Sequence, residues 1–315
     1  MSKTESRSAL SRRRFLALSS AGTGALLSAS LVSSRLMSRA LASEAMPPVP
    51  LAKVPIGIEL YALRGELARD LPNTLRTVAK IGYEVVEFYA PYLGWTFPFA
   101  KGVRTQLDDL GLRCYSTHNP AASVTPGDVM TKAIELNQIL GSRSIIVASP
   151  PPNTNGLEDW RRVSGLFASA VPLLQPHGLT AGFHNHLVEW SPLADGMRVM
   201  DVIAANTPGE FTLQFDVGTC LEAGADPVAW IKANPGRIRS AHLKDWAPGT
   251  EADEKSFRVL FGEGVAPWKD IVAALESVGG VEYYLMEQEG SRYSEFETAQ
   301  RCLESWRALR SEVRR

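Results

Sequence analysis

Two histidines, an asparagine and a glutamate fall within nine residues in 182-GFHNHLVEW-190, flanked by glycine and aromatics. The chain has only five histidines in 315 residues, so His184 and His186, two positions apart, need a cause. Imidazole and carboxylate groups at this density serve as ligands for a borderline divalent metal or as general acids and bases. The plain alternative is a histidine-rich loop with no chemistry. Other polar clusters lie along the chain: Glu59, Tyr61 and Arg64; Glu87, Tyr89 and Tyr92; His118 with Asn119; Asp216 in 215-FDVGT-219; His242 in 241-AHLKD-245; and Glu287 in 284-YLMEQEG-290. Only His177 among the histidines stands apart from these clusters.

Something must bring clusters so distant in sequence together. Short β-branched runs occur at 54–63, 83–89, 112–118, 143–149, 179–185, 211–217, 237–243 and 281–287. Between them lie segments with apolar residues at helical spacing, among them 73–82, 127–141, 157–174, 226–234, 269–279 and 294–310. Gly82, Gly111, Gly141 and Gly279 precede the next strand and read as helix C-caps. Eight strands in strict alternation with eight helices, in about 260 residues, predict an α/β fold built as a single (β/α)8 TIM barrel over 54–315. A doubly wound sheet is the competing architecture, but no Gly-rich phosphate turn follows the first strand.

A TIM barrel gathers its chemistry at the C-terminal ends of the strands, where all the clusters above fall. Each residue alone has an ordinary explanation: an Asp after a strand caps a turn, a strand His is a hydrogen-bonded structural group, a terminal Glu is solvated. Together, strands five to eight offer His or Glu, then Asp, then His, then Glu. Four neighbouring strand ends converge on one point, which predicts a four-ligand nitrogen/oxygen site for one divalent ion. Mn, Co, Zn, Fe and Mg suit such a set better than a thiolate-preferring metal.

The chain ends and the composition narrow the setting. Arg12 and Arg13 stand ahead of Phe15 and Leu16, a weakly apolar Ala/Leu/Ser/Gly run follows, and 40-ALA-42 supplies a small-x-small cleavage pattern. Residues 1–42 are expected to be a twin-arginine (Tat) signal peptide and 43–53 a Pro-rich linker. The Tat export machinery is then a partner, and the mature chain is periplasmic or extracellular. The apolar run is short of the roughly 18 residues a membrane span needs. The leader carries seven Lys/Arg and one Asp/Glu, which leaves 26 basic and 33 acidic residues in the mature chain, a net charge of −7. Such a surface disfavours nucleic acid and anionic membranes as partners. Three widely spaced cysteines (Cys114, Cys220, Cys302) make no disulfide framework and read as small buried hydrophobes.

With these residues in view, the chain resembles the xylose-isomerase-like TIM barrels, often called sugar phosphate isomerases/epimerases. The likeness is most specific in FHNHLVEW, FDVGT, GRIRSAHLKDW and YYLMEQEG, and weaker in IELYALR and VVEFYAP. It implies a divalent metal, a small-molecule carbohydrate substrate, and Asp216, His242 and Glu287 as the second, third and fourth metal ligands. Many members read ENH where this chain reads 184-HNH-186, so His184 stands at the usual glutamate position. His184 is therefore the expected first ligand, with Glu189 as the alternative.

The resemblance also implies a mechanism, in which a carbonyl is polarised and two general bases move a proton across an enediolate. Glu287 keeps its place as one base, and His184, His186 or Glu189 must supply the other. Lys244 is expected to stabilise the enediolate or to orient Asp245. Glu59, Arg64, Glu87, His118 and Asn185 are expected to bind substrate hydroxyls. Tyr61, Tyr89, Tyr92, Trp95, Trp190 and Trp246 would form stacking walls. An isomerase or epimerase acting on a sugar or keto sugar leads. A lyase or dehydratase acting on keto sugars, keto glycosides or inososes is the alternative, since a mixed His/Glu site offers both a base and an acid. Phosphodiester cleavage sits badly with the negative charge. An exported sugar-binding barrel without catalysis is the remote reading.

Overall fold

A computed structural model describes residues 54–193 and 196–313. The expected signal peptide and linker lie outside the described residues. The eight strands are β1 (Ile56–Glu59), β2 (Val85–Phe88), β3 (Arg113–Pro120), β4 (Ser144–Ser149), β5 (Thr180–His184), β6 (Thr212–Asp216), β7 (Ser240–Leu243) and β8 (Tyr283–Met286). They are parallel, pair in sequence order, and close through β1 and β8 into a barrel. The chain is thus a single (β/α)8 barrel, and the doubly wound alternative falls.

Helices between the strands follow the predicted spacing, for example Leu71–Ile81, Asp128–Leu140, Gly156–Leu174 and Pro227–Ala233. Gly82, Gly111 and Gly141 adopt the left-handed conformation that ends a helix without a Cβ penalty. The fourth expected cap shifts by one residue. Helix Trp268–Ala274 runs on into a π turn, Leu275–Gly279, so Gly280 rather than Gly279 takes the positive φ. Wider π winding carries the chain one residue further before it can turn.

Several strands end earlier than their apolar runs suggest, because the polar residue at the end caps the next element. The Glu59 carboxylate accepts from the Tyr61 amide at 2.7 Å, which turns the chain into a 3₁₀ turn over Leu60–Leu63. Asp216 caps Thr219 in the same way and starts helix Val217–Glu222, which its β-like sequence hid.

The barrel interior is layered by the period-two alternation of each strand. Its N-terminal floor is apolar, with Val85, Leu285 and Tyr283 packed together. Glu87, Ser116, Gln214 and Ser240, on β2, β3, β6 and β7, are all buried and form a hydrogen-bonded polar layer. Outside the sheet, rings such as Phe167, Phe183 and Phe211 fill the helix–strand interface. All three cysteines are buried in the main core.

Candidate metal centre at the strand C-termini

Above the polar layer, His184, Asp216, His242 and Glu287 come together, each with a donor atom within 4.8 Å of the others. Register does this. His184 pairs with Gln214, two residues short of Asp216; Asp216 pairs with His242; and His242 pairs with Leu285, two residues short of Glu287. All four side chains are buried. Two of their polar atoms, His184 Nδ1 and Asp216 Oδ2, are buried with no hydrogen-bond partner. Such atoms cost stability unless a ligand satisfies them, so this set fits a divalent cation. Asp216 Oδ1 caps the helix at 2.8 Å, while Oδ2 faces the cluster.

Charge around the cluster is tightly paired. Lys244 is 2% exposed, and its ammonium lies 3.2 Å from Glu287 Oε1 and 3.5 Å from Asp216 Oδ2 and also bonds Glu289. Burial alone would lower the Lys244 pKa, but Glu287, Asp216 and Glu289 outweigh it and hold the group charged. Burial raises Glu287, yet Lys244 and the His242 imidazole more than reverse this and keep it a carboxylate. His242 Nδ1 is 2.5 Å from Glu287 and Nε2 is 2.9 Å from Glu87; these two acids overcome burial and push its pKa up to about 10. His184 moves the other way. Burial and the neighbouring His242 and His118 hold it neutral, the form that ligates a metal.

The mouth opens into a cavity of about 350 Å³, within the usual range for a small-molecule site. Glu59, Tyr61, Tyr89, His118, His184, His186, Glu287 and Glu289 line it. Tyr61 and Tyr89 meet edge to face at 5.4 Å and form its aromatic wall. Glu59 is 1% exposed; one oxygen takes the Tyr61 amide and the other has no partner. Burial first, then Glu287 and Glu87, raise its pKa well above the usual carboxylate value.

Other expected residues take different places. Glu189 is absent from the quartet; its carboxylate accepts from the His186 amide at 2.7 Å and caps the turn Leu187–Trp190. His186 is exposed at the rim of the cavity. Asn185 does not line the cavity: it accepts from the Asp216 amide at 3.0 Å and donates to the Asp216 carbonyl and Thr219, tying β5 to β6. Arg64 stacks on Tyr61 and donates to the Tyr61 and Glu289 carbonyls. Glu87 lies beneath the mouth with no exposed surface, bonded by Gln214, Ser116, His118 and His242. Tyr92 is buried and donates to Asn119, and Trp190 packs on Phe215 and Trp230, so these two rings are core; Trp95 is half-buried against Phe88 and Phe99, away from the cavity.

Sequence reasoning passed over Gln214, Ser116 and Glu289. The first two were signalled by alternation, since Gln214 is two before Asp216 and Ser116 two before His118. Asp245 is not oriented by Lys244. Its buried carboxylate instead gathers the amides of Trp246, Gly262, Gly264 and Ala266 and the Trp268 indole, at 2.8–3.3 Å. Gly264 passes so close that a Cβ there would lie 2.1 Å from the Asp245 oxygen.

The fold and the side chains gathered at its mouth define a (β/α)8 barrel with a buried nitrogen/oxygen cluster. The chain belongs to the xylose isomerase-like TIM barrel family, whose model matches residues 75–311. Among solved structures it is similar to a sugar phosphate isomerase/epimerase from Parabacteroides distasonis, at 22% identity and a TM-score of 0.69 over 82% of this chain and 96% of that one. It is also similar to AsbF of Bacillus anthracis, a probable 3-DHS dehydratase, at 12% and 0.62 over 80% and 98%. D-psicose 3-epimerase from Clostridium cellulolyticum matches at 15% and 0.59 over 81% and 99%. At these identities the likeness is one of fold. No curated protein matches the chain.

Replacing Asp245 with Ala strands several buried donors at once. It is expected to lower stability by on the order of 3 kcal/mol in a urea titration. A change below about 0.5 kcal/mol, the level of an ordinary surface substitution, would show that the loop does not depend on it.

Proposed function

We propose that this chain is a divalent-metal-dependent enzyme that moves a proton next to the carbonyl of an unphosphorylated sugar or keto sugar, as an isomerase or epimerase. The observation that carries the reading is the buried quartet with two ligand atoms that make no hydrogen bond. His184, Asp216, His242 and Glu287 would hold the ion, which supplies Lewis-acid polarisation of a carbonyl. Glu287, kept as a carboxylate by Lys244 and His242, is the base for the adjacent proton. Lys244 contributes positive charge beside the developing oxyanion. Glu189, locked into its turn, shapes the loop that carries His186, which stays available at the rim as a second proton-transfer group. Tyr61 and Tyr89 stack on the sugar.

The missing phosphate is argued from charge. Among the described residues none that lines the cavity is Lys or Arg, and the two nearby cations, Lys244 and Arg64, are already bonded. A dehydratase or lyase is the second reading, and Glu59 favours it. A buried carboxyl biased towards its protonated form, across one cavity from the ionised Glu287, is the acid that a leaving group needs.

Protein folded in the cytoplasm is expected to carry about one divalent ion per chain by metal analysis. His184→Ala, Asp216→Ala and His242→Ala lose it, whereas Glu189→Gln keeps it; a metal-free wild type sinks the reading. In D₂O, NMR of a keto-sugar panel should show deuterium entering next to the carbonyl without fragmentation, and no turnover of the phosphorylated counterparts. Release of water or an aglycone would transfer the assignment to lyase, and silence across the panel to sugar binding alone.

We further propose residues 1–42 as a Tat leader and 43–53 as a linker to the barrel of 54–315, with the mature protein periplasmic or extracellular. Fractionation of cells carrying Arg12→Lys with Arg13→Lys should find the chain retained in the cytoplasm; unchanged export would refute the leader.

A further inference from the structure

We infer that Glu87 is a positioning residue that sets the ring orientation and proton placement of two histidines at once, His242 in the quartet and His118 in the cavity wall. One carboxylate oxygen, Oε2, lies 2.9 Å from His242 Nε2 and 3.1 Å from His118 Nε2. The other, Oε1, accepts from the Gln214 amide at 2.9 Å and from the Ser116 hydroxyl. Gln214 in turn donates to Ser240 at 3.1 Å and receives His118 Nε2 on its carbonyl at 2.7 Å. Glu87 is therefore clamped by two neighbours while it grips two imidazoles, and none of its surface is exposed.

For His118 the donors and acceptors leave one assignment. The Gln214 carbonyl can only accept, so His118 must carry its hydrogen on Nε2, which leaves Nδ1 as the nitrogen for a ligand in the cavity it lines. His242 meets a carboxylate at both nitrogens, Glu87 at Nε2 and Glu287 at Nδ1; since Glu287 belongs to the quartet, an ion held between it and Nδ1 would take the place of the Nδ1 proton and leave Nε2 donating to Glu87. The two rings stack at 5.2 Å with 5° between their planes, as a shared anchor would hold them. A carboxylate behind a ligating histidine fixes its tautomer and raises its basicity. Here the same carboxylate reaches a second imidazole facing the substrate, so ion binding and substrate contact depend on one side chain.

This inference rests on the proposed metal site, and two measurements on the full chain separate the two. Chelator competition with Zn²⁺ is expected to show Glu87→Gln weakened by about 10–100-fold, because either placement of the amide turns its NH2 against donors, the two ring N–H groups or the Gln214 N–H that Oε1 now accepts. ¹⁵N–¹H NMR of histidine-labelled, Zn²⁺-loaded wild type should show both rings protonated at Nε2, and Glu87→Gln should lose that signature while a merely structural change would not. Unaltered affinity in Glu87→Gln together with unchanged ring protons overturns the proposal, as does an Nδ1 proton on His118 in the wild type. If the wild type takes no ion, the metal reading fails, and the His118 proton position in the ion-free chain still decides the role of Glu87. If Glu87→Gln does not fold, the wild-type spectrum decides alone.

Discussion

Eight strands closing on one axis force their C-terminal side chains into a single volume, and here that volume is charged. Glu59, Glu87, Asp216, Glu287, Lys244 and three imidazoles are all buried there. Unpaired charge at such depth is very costly, so each group must be matched by another. Lys244 offsets Asp216, Glu287 and Glu289; His242 lies between Glu87 and Glu287; Gln214 and Ser116 hold Glu87. The pairing still leaves His184 Nδ1, Asp216 Oδ2, Glu59 Oε1 and Glu189 Oε1 without a hydrogen bond.

The same strand ends also solve a folding problem. A strand that stops must hand its chain to a turn or helix whose first amides need acceptors. Glu59, Asp216 and Glu189 each give one carboxylate oxygen to that task. Only the first two bring the rest of the carboxyl to the cavity or the cluster. Structural capping and site chemistry are thus not alternatives here. A two-oxygen side chain at the rim of a barrel can do both, which holds the reactive oxygen rigid.

Family membership fits this picture, because the barrel mouth is where related chains vary their chemistry. A histidine in the first position of the quartet changes the balance of the site. It removes one negative charge relative to a glutamate and puts a neutral imidazole in its place.

Alternation of β-branched and helical runs sufficed to establish eight βα units, because period two and period 3.6 are local properties of the chain. The positions of Asp216, His242 and Glu287 at strand ends were legible for the same reason. The choice between His184 and Glu189 was not, since it turns on which side chain a 3₁₀ turn needs for its cap. Nor was the descent of Glu87 and Asn185 from expected substrate contacts to buried supports, or the withdrawal of Tyr92 and Trp190 into the core. Those outcomes depend on strand register and ring packing across the barrel. Sequence by itself determined which residues stand at the strand ends. Only the tertiary structure decided which of their atoms meet, because distance between strands is set by closure of the sheet and not by spacing along the chain.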